Sequence, residues 1–192
     1  MADRYTKLLI LDRDGTINYD RDDYVKSPQE WQALPGALEA IARLNHAGWH
    51  VVVASNQSGL GRGLFDMAAL NAMHEKMHQQ LAAVGGRIDA VFFCPHVPQD
   101  NCACRKPLPG LLEQIGQRMG VSLQGVPLAG DSLRDLSAAV AVGCQPHWVL
   151  TGKSAGLDPV QARQTMPAGT CVHADLAALA EYLIGQQPAS AP

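Results

Sequence analysis

Asp12 and Asp14, two carboxylates separated by one residue, stand at the end of the apolar run Leu8-Leu9-Ile10-Leu11 and just before Gly15-Thr16. Lys7 to Leu11 reads as a strand buried on both faces, as a parallel sheet requires. Side chains two apart on an extended chain share a face, so both acids are expected to project the same way. Such a pair repels itself unless a cation sits between its members. Oxygen donors of this kind favour Mg²⁺, which binds through one or two carboxylates together with a substrate phosphate.

A second donor set lies between Cys94 and Cys104, where Cys94, His96, Cys102 and Cys104 share one short segment. Three thiolates and an imidazole suit tetrahedral Zn²⁺, and four protein ligands leave no position for water. This zinc is therefore expected to be structural. The loop runs straight into Arg105-Lys106, so the metal would fix the geometry of that lysine. Cys144 and Cys171 are expected to be small apolar residues in or beside the core. A third pattern, His74-Glu75-Lys76-Met77-His78, matches the H-E-x-x-H arrangement of zinc peptidases. It lies within a helical apolar stripe of Leu70, Met73, Met77, Leu81 and Val84, which leaves the histidines at the stripe's edge and Glu75 facing solvent. A peptidase is thus the alternative from another reaction class, and a non-catalytic binding module is a third reading.

The elements that must position these groups alternate between strand and helix. Strands are expected at 7–11, 51–54, 91–93, 126–129, 148–150 and 170–172. Helices are expected at about 37–47, 66–84, 109–119 and 133–142, with a last one from Asp175. Alternation of this sort implies a doubly wound parallel α/β sheet with right-handed crossovers, a three-layer Rossmann-like architecture. Ligands in such folds bind outside the carboxyl ends of the strands, where the strand order switches. The polar clusters Asp12/Asp14, Ser55-Asn56-Gln57-Ser58 and Asp131/Asp135 each follow a strand, and Arg105-Lys106-Pro107 precedes a helix.

The 192 residues fit one domain over 1–185 with a flexible tail at 186–192 rich in Pro, Ala and Ser. A net charge of −3 leaves no electrostatic footprint for nucleic acid. No apolar stretch approaches the roughly 20 residues of a membrane span, and the N-terminus lacks a signal-peptide core. A cytoplasmic protein with reduced cysteines is expected.

The order Asp12-Arg13-Asp14-Gly15-Thr16, Ser55, Lys106 and Gly130-Asp131-x-x-x-Asp135 resembles the signature set of the haloacid dehalogenase superfamily of phosphotransferases, over about residues 7–150. The resemblance implies Asp12 as nucleophile, forming an aspartyl-phosphate, and Asp14 as general acid and base. It implies Mg²⁺ on Asp12, Asp131 and the Asp14 carbonyl, and the transferring phosphoryl group held by Ser55, Lys106 and N–H groups near Asn56. Asp135 could simply stabilise the start of its helix.

Caps that select substrates in this superfamily follow the first or third strand. Here the stretch from Asp14 to Ser55 is consumed by a flap, a helix and a strand, and only the cysteine loop follows Phe93. The chain is therefore expected to be capless. The capless zinc-loop branch includes the D-glycero-D-manno-heptose 1,7-bisphosphate phosphatases and the histidinol-phosphatases. Asp12 to Asn18, Asn56-Gln57-Ser58-Gly59 with Arg62-Gly63, Cys104-Arg105-Lys106-Pro107 and Thr151-Gly152-Lys153 are more similar to the heptose enzymes. The short spacing from His96 to Cys102 is shared with the histidinol group, and Ser132 stands where some family members carry lysine. The resemblance implies a small-molecule sugar bisphosphate substrate losing its 7-phosphate, with Gln57, Ser58 and Arg105 among the binding residues and the Asp20–Tyr24 flap near the sugar. A monomer without nucleic-acid or membrane partners is expected. Histidinol phosphate, or another small sugar phosphate, is the alternative substrate.

Overall fold

The structure, a computed structural model, describes residues 7–186. Of the expected tail only Gln186 is among them, where it caps the last helix. Six strands form one parallel sheet: β1 Leu8–Leu11, β2 His50–Asn56, β3 Ala90–Cys94, β4 Pro127–Gly130, β5 Gln145–Val149 and β6 Cys171–His173. Their order is β3-β2-β1-β4-β5-β6, with every neighbouring pair parallel. The chain winds outward from β1 through β2 to β3, then crosses back to lay β4 on the other side of β1. That reversal is the switch point, and it puts the carboxyl ends of β1, β2 and β4 side by side.

Alternation along β1 sends Leu9 and Leu11 to one face of the sheet and Leu8 and Ile10 to the other. On the first face they meet α1 Ala37–His46, α3 Met67–Ala83 and α7 Leu176–Gly185 through Ile41, Leu44, Met73, Met77, Leu179 and Leu183. On the second they meet α4 Gly110–Met119 and α5 Leu133–Ala141 through Leu111, Leu112, Ile115, Ala138 and Ala139. All four residues of β1 are buried, so the strand closest to the chemistry is also the centre of both cores. A sheet held from both sides gives the loops at its end a rigid base.

Several boundaries differ from the expectations. Strand β5 starts at Gln145 because Gln145 to Trp148 pair with Pro127 to Gly130, a register that hydropathy alone does not reveal. Val84 caps α3 and is exposed, so the apolar stripe ends at Leu81. Cys144 is buried as expected, whereas Cys171 is only half-buried on the edge strand, its Sγ 3.7 Å from the Tyr182 hydroxyl. The short helices α2 Ser58–Gly61 and α6 Pro159–Ala162 carry no periodic signal of their own. Among the described residues no further sheet or helical domain interrupts the segments after β1 or β3, so the fold is capless.

Candidate active site

Asp12 follows the last residue of β1 and donates its backbone N–H to the Ala129 carbonyl of β4 at 2.9 Å. Its side chain lies at the floor of a cavity of about 220 Å³, which also takes in Ser55, Lys106, Asp131 and Asp135. Lys106 lines the same cavity and is almost wholly buried. Its ammonium donates to Asp12 Oδ1 at 2.8 Å and to the Ala54 carbonyl of β2 at 2.6 Å, and lies 2.5 Å from Asp135 Oδ1. One lysine thus ties together the ends of β1 and β2 and the first turn of α5.

The charges do not balance. Burial disfavours the charged form of Lys106, yet Asp12 and Asp135 more than offset this and hold it protonated. The single cation faces Asp12, Asp131 and Asp135, whose oxygens converge within 4.8 Å of one another. Burial, with Asp135 and Asp131 nearby, pushes Asp12 up to about 8 despite Lys106. Burial and Asp135 push Asp131 up to about 7, against the Lys153 N–H. Two negative charges remain when all three acids are ionised, and a divalent cation on Asp12 and Asp131 would neutralise them. Asp135 is less free to ligate, because Oδ2 accepts from the Ser132 hydroxyl at 2.6 Å and the Ser132 N–H at 3.2 Å, closing a capping box at the start of α5. The helix-stabilising role left open for Asp135 is therefore present, joined by a second one as counter-charge to Lys106.

Strand β1 stops at Leu11, so Asp14 lies on a turn rather than on a continuing strand: the Thr16, Ile17 and Asn18 N–H groups all donate to the Arg13 carbonyl. Both acids nonetheless line the same cavity. Asp14 is saturated by donors. Arg13 grips it from Nη2 at 2.8 and 3.0 Å and from Nε at 3.1 Å, Asn18 donates at 2.9 Å and Gln57 at 2.8 Å. Burial alone would raise its pKa, but Arg13, Asn18 and Gln57 together bring it below the ordinary carboxylate value. Gln57 also donates to the Ser55 hydroxyl at 2.7 Å, linking the acid to the hydroxyl expected to bind phosphate.

Asp131 is set by the segment after β5. Its Oδ2 accepts the Lys153 N–H at 2.6 Å, and its carbonyl accepts the Ser154 hydroxyl at 2.5 Å, which in turn accepts Trp148 Nε1 at 2.7 Å. Gly15 adopts φ +83°, and a Cβ there would clash with Asp131 Oδ2. Glycine at this place thus serves both the turn and the approach of Asp131 to Asp12. Lys153 reaches across to Asp20 at 2.9 Å and Asp22 at 3.2 Å, fastening the flap at one rim of the pocket.

Asn56 lines the pocket while its side chain holds the main chain of Lys106, accepting the N–H at 3.1 Å and donating to the carbonyl at 3.0 Å. Ser58 begins α2 at the pocket wall, and Arg105 lines the wall while donating to the His96 carbonyl at 3.4 Å.

The four cysteine-loop donors converge as expected. Cys94, Cys102 and Cys104 Sγ are 3.2–3.6 Å apart, and His96 Nδ1 lies 3.5 Å from Cys94 and 3.3 Å from Cys104. Ligands on a tetrahedral zinc with bonds of about 2.3 Å stand roughly 3.5–3.8 Å apart, so the donor set fits that ion. The loop is docked on the α2 turn by the Gly61 N–H to the Pro95 carbonyl at 3.0 Å.

His74 and His78 form no metal cluster with Glu75 or any third ligand among the described residues, and Glu75 and His78 are exposed. Arg134 was not singled out in the sequence, and Lys153 and Arg13 appeared there only as motif residues without a role of their own. Arg134 and Lys153 line the pocket, and Arg13 is a fully buried cation behind Asp14. An arginine wedged between two acids is a signal that alternation argued away, since a continuing strand would have pointed it to the opposite face.

The chain resembles proteins of known activity over most of its length. It matches the family model described as HAD-hydrolase-like over residues 103–179 and the one described as polynucleotide kinase 3 phosphatase over 7–127. It is 59% identical to the D-glycero-β-D-manno-heptose-1,7-bisphosphate 7-phosphatase of Bordetella bronchiseptica, across 93% of this chain and 98% of that protein. Identity to the Pseudomonas aeruginosa protein of the same name is 51%, across 92% and 97%. The solved structure of the B. bronchiseptica D,D-heptose 1,7-bisphosphate phosphatase with magnesium and phosphate superposes with a TM-score of 0.90 at 58% identity, covering 95% of this chain and all of that one. The chain belongs to the haloacid dehalogenase-like phosphatases, in the family of the D-glycero-β-D-manno-heptose-1,7-bisphosphate 7-phosphatases.

Proposed function

We propose that this chain removes the 7-phosphate of D-glycero-β-D-manno-heptose 1,7-bisphosphate in two displacements at phosphorus. In the first, Asp12 attacks as the ester P–O bond breaks, and Asp14, ionised in the free site, passes to the departing sugar oxygen the proton it takes up as the phosphate binds. In the second, water attacks the aspartyl-phosphate, the bond to Asp12 breaks, and Asp14 takes the water's proton. The observation that carries this reading is Lys106, pinned between Asp12 and Asp135 with its ammonium at the cavity floor. There it faces the oxygens of the transferring group, and the Ser55 hydroxyl flanks them on the other side. Mg²⁺ held by Asp12, Asp131 and the Asp14 carbonyl would offset the repulsion between carboxylate and phosphate. Zinc on Cys94, His96, Cys102 and Cys104 would hold the loop that delivers Arg105 and Lys106.

Substrate choice follows from charge at the wall. Arg105, Arg134 and Lys153 surround the cavity beyond the reaction centre, which suits a small molecule with a second phosphate. Asp20 and Asp22 on the flap, with a net charge of −3 overall, disfavour a polynucleotide substrate despite the family model that bears that name. Among the described residues no helix is long and apolar enough to cross a membrane. Residues 1–185 would act as one catalytic domain, as a cytoplasmic monomer. Purified protein with Mg²⁺ should release phosphate from the heptose bisphosphate far faster than from histidinol phosphate, and Asp12→Asn should abolish release. Equal turnover of both substrates would overturn the substrate assignment, and an active Asp12→Asn would overturn the mechanism.

A further inference from the structure

Arg13 and His74 are joined in a way that the reaction just described leaves unused. Arg13 is wholly buried, and its fork is committed to Asp14 through Nε and Nη2. The remaining arm, Nη1, lies 3.4 Å from His74 Nε2 on α3. A guanidinium can only donate, so Nε2 must be the accepting lone pair and the imidazole must be neutral. Burial, reinforced by the Arg13 charge and by His78, pushes His74 down to about 4, consistent with that state. The ring is itself braced against Phe93 of β3, with centroids 6.4 Å apart. A line of contacts thus runs from the helix layer through a buried cation to the acid/base carboxylate.

We propose that the Arg13–His74 pair is a positioning device for Asp14: His74 fixes the plane of the guanidinium, and the guanidinium fixes the rotamer from which Asp14 reaches the leaving oxygen. This rests on Asp14 acting as the acid and base, and it gives the histidine of the apparent peptidase motif its place in the molecule. Neither residue lines the cavity. Their effect is confined to steps in which a proton moves through Asp14.

That confinement yields a test. The value of kcat/KM reports steps up to release of the alcohol. A sugar alkoxide needs protonation to leave, whereas p-nitrophenolate leaves unaided. His74→Phe should lower kcat/KM for the heptose bisphosphate about tenfold, part of the 10²–10⁴ that general acid catalysis supplies. The same variant should hold p-nitrophenyl phosphate within about threefold. His74→Gln, which restores an acceptor toward Nη1, should recover most of the loss, and Arg13→Lys, which keeps charge without the fork, should reproduce the selective loss. Parallel losses on both substrates, or none, would overturn the inference. Asp14→Asn is measured alongside: selective loss there with an unaffected His74→Phe overturns the pair's role alone, and no selectivity there overturns the acid/base reading together with it.

Discussion

At the residue scale the site is governed by an excess of negative charge that one lysine cannot cancel. Asp12, Asp131 and Asp135 converge on Lys106, and the approach is possible because Gly15 leaves room for Asp131. Gly15→Ala would place a methyl where Asp131 Oδ2 now stands and strain a backbone at φ +83°. It should lower stability by about 1–3 kcal/mol and raise the Mg²⁺ concentration for half-maximal activity at least tenfold. A metal titration beside a thermal melt separates the two effects, and an unchanged Mg²⁺ requirement would show that Gly15 serves the turn alone. Asp12, Ser55 and Asp131 were legible in the sequence because each sits at the end of a strand, and Asp14 and Lys106 because each belongs to a short motif beside one of these elements. Arg13 and Asp135 were not fully legible. The one required knowing that β1 stops at Leu11, and the other that a capping carboxylate also faces a lysine reached from β3's loop.

At the element scale the zinc loop, the end of β2 and the start of α4 act as one support for Lys106. Asn56 clamps its main chain, and the loop that precedes it is closed by the Cys94, His96, Cys102 and Cys104 donors. Zinc removal should therefore lower phosphate release by an order of magnitude or more while the sheet keeps its far-ultraviolet circular dichroism. Full activity in a folded, zinc-free sample would refute the coupling. Asn56→Ala should give a similar loss with zinc still bound. The strand and helix periodicities announced nearly every element of the sheet and its helices. Among the misses, the start of β5 and the short α2 are places where pairing partners or a neighbouring loop decide the conformation rather than local hydropathy.

At the scale of the whole molecule the two cores meet at β1, and the sheet edge far from the reaction carries a buried histidine pair. His147 Nδ1 lies 2.9 Å from His173 Nε2, and Tyr182 packs edge-on to both rings. Burial, with His173 beside it, pushes His147 down to about 4, and burial lowers His173 as well. An unfolded histidine titrates near 6.5, so between that pH and about 4 the unfolded chain binds more protons than the folded one. The pair's contribution to stability is complete above about pH 7 and is lost as pH falls through that window, by about 1.4 kcal/mol per pH unit for one histidine at its steepest. Urea midpoints should therefore fall more from pH 7 to pH 5 in the parent than in His147→Leu. Comparing the two variants cancels the active-site acids, whose raised values act with the opposite sign. Equal slopes would mean that the pair is not held neutral.

The two-displacement route through Asp12 is tested most directly by the configuration at phosphorus. Turnover in ¹⁷O-labelled water of a substrate whose transferred group is a thiophosphoryl made chiral with ¹⁶O and ¹⁸O should yield chiral thiophosphate with net retention, because two in-line inversions cancel. Net inversion would mean that water attacks the substrate directly, and the role assigned to Asp12 would be wrong.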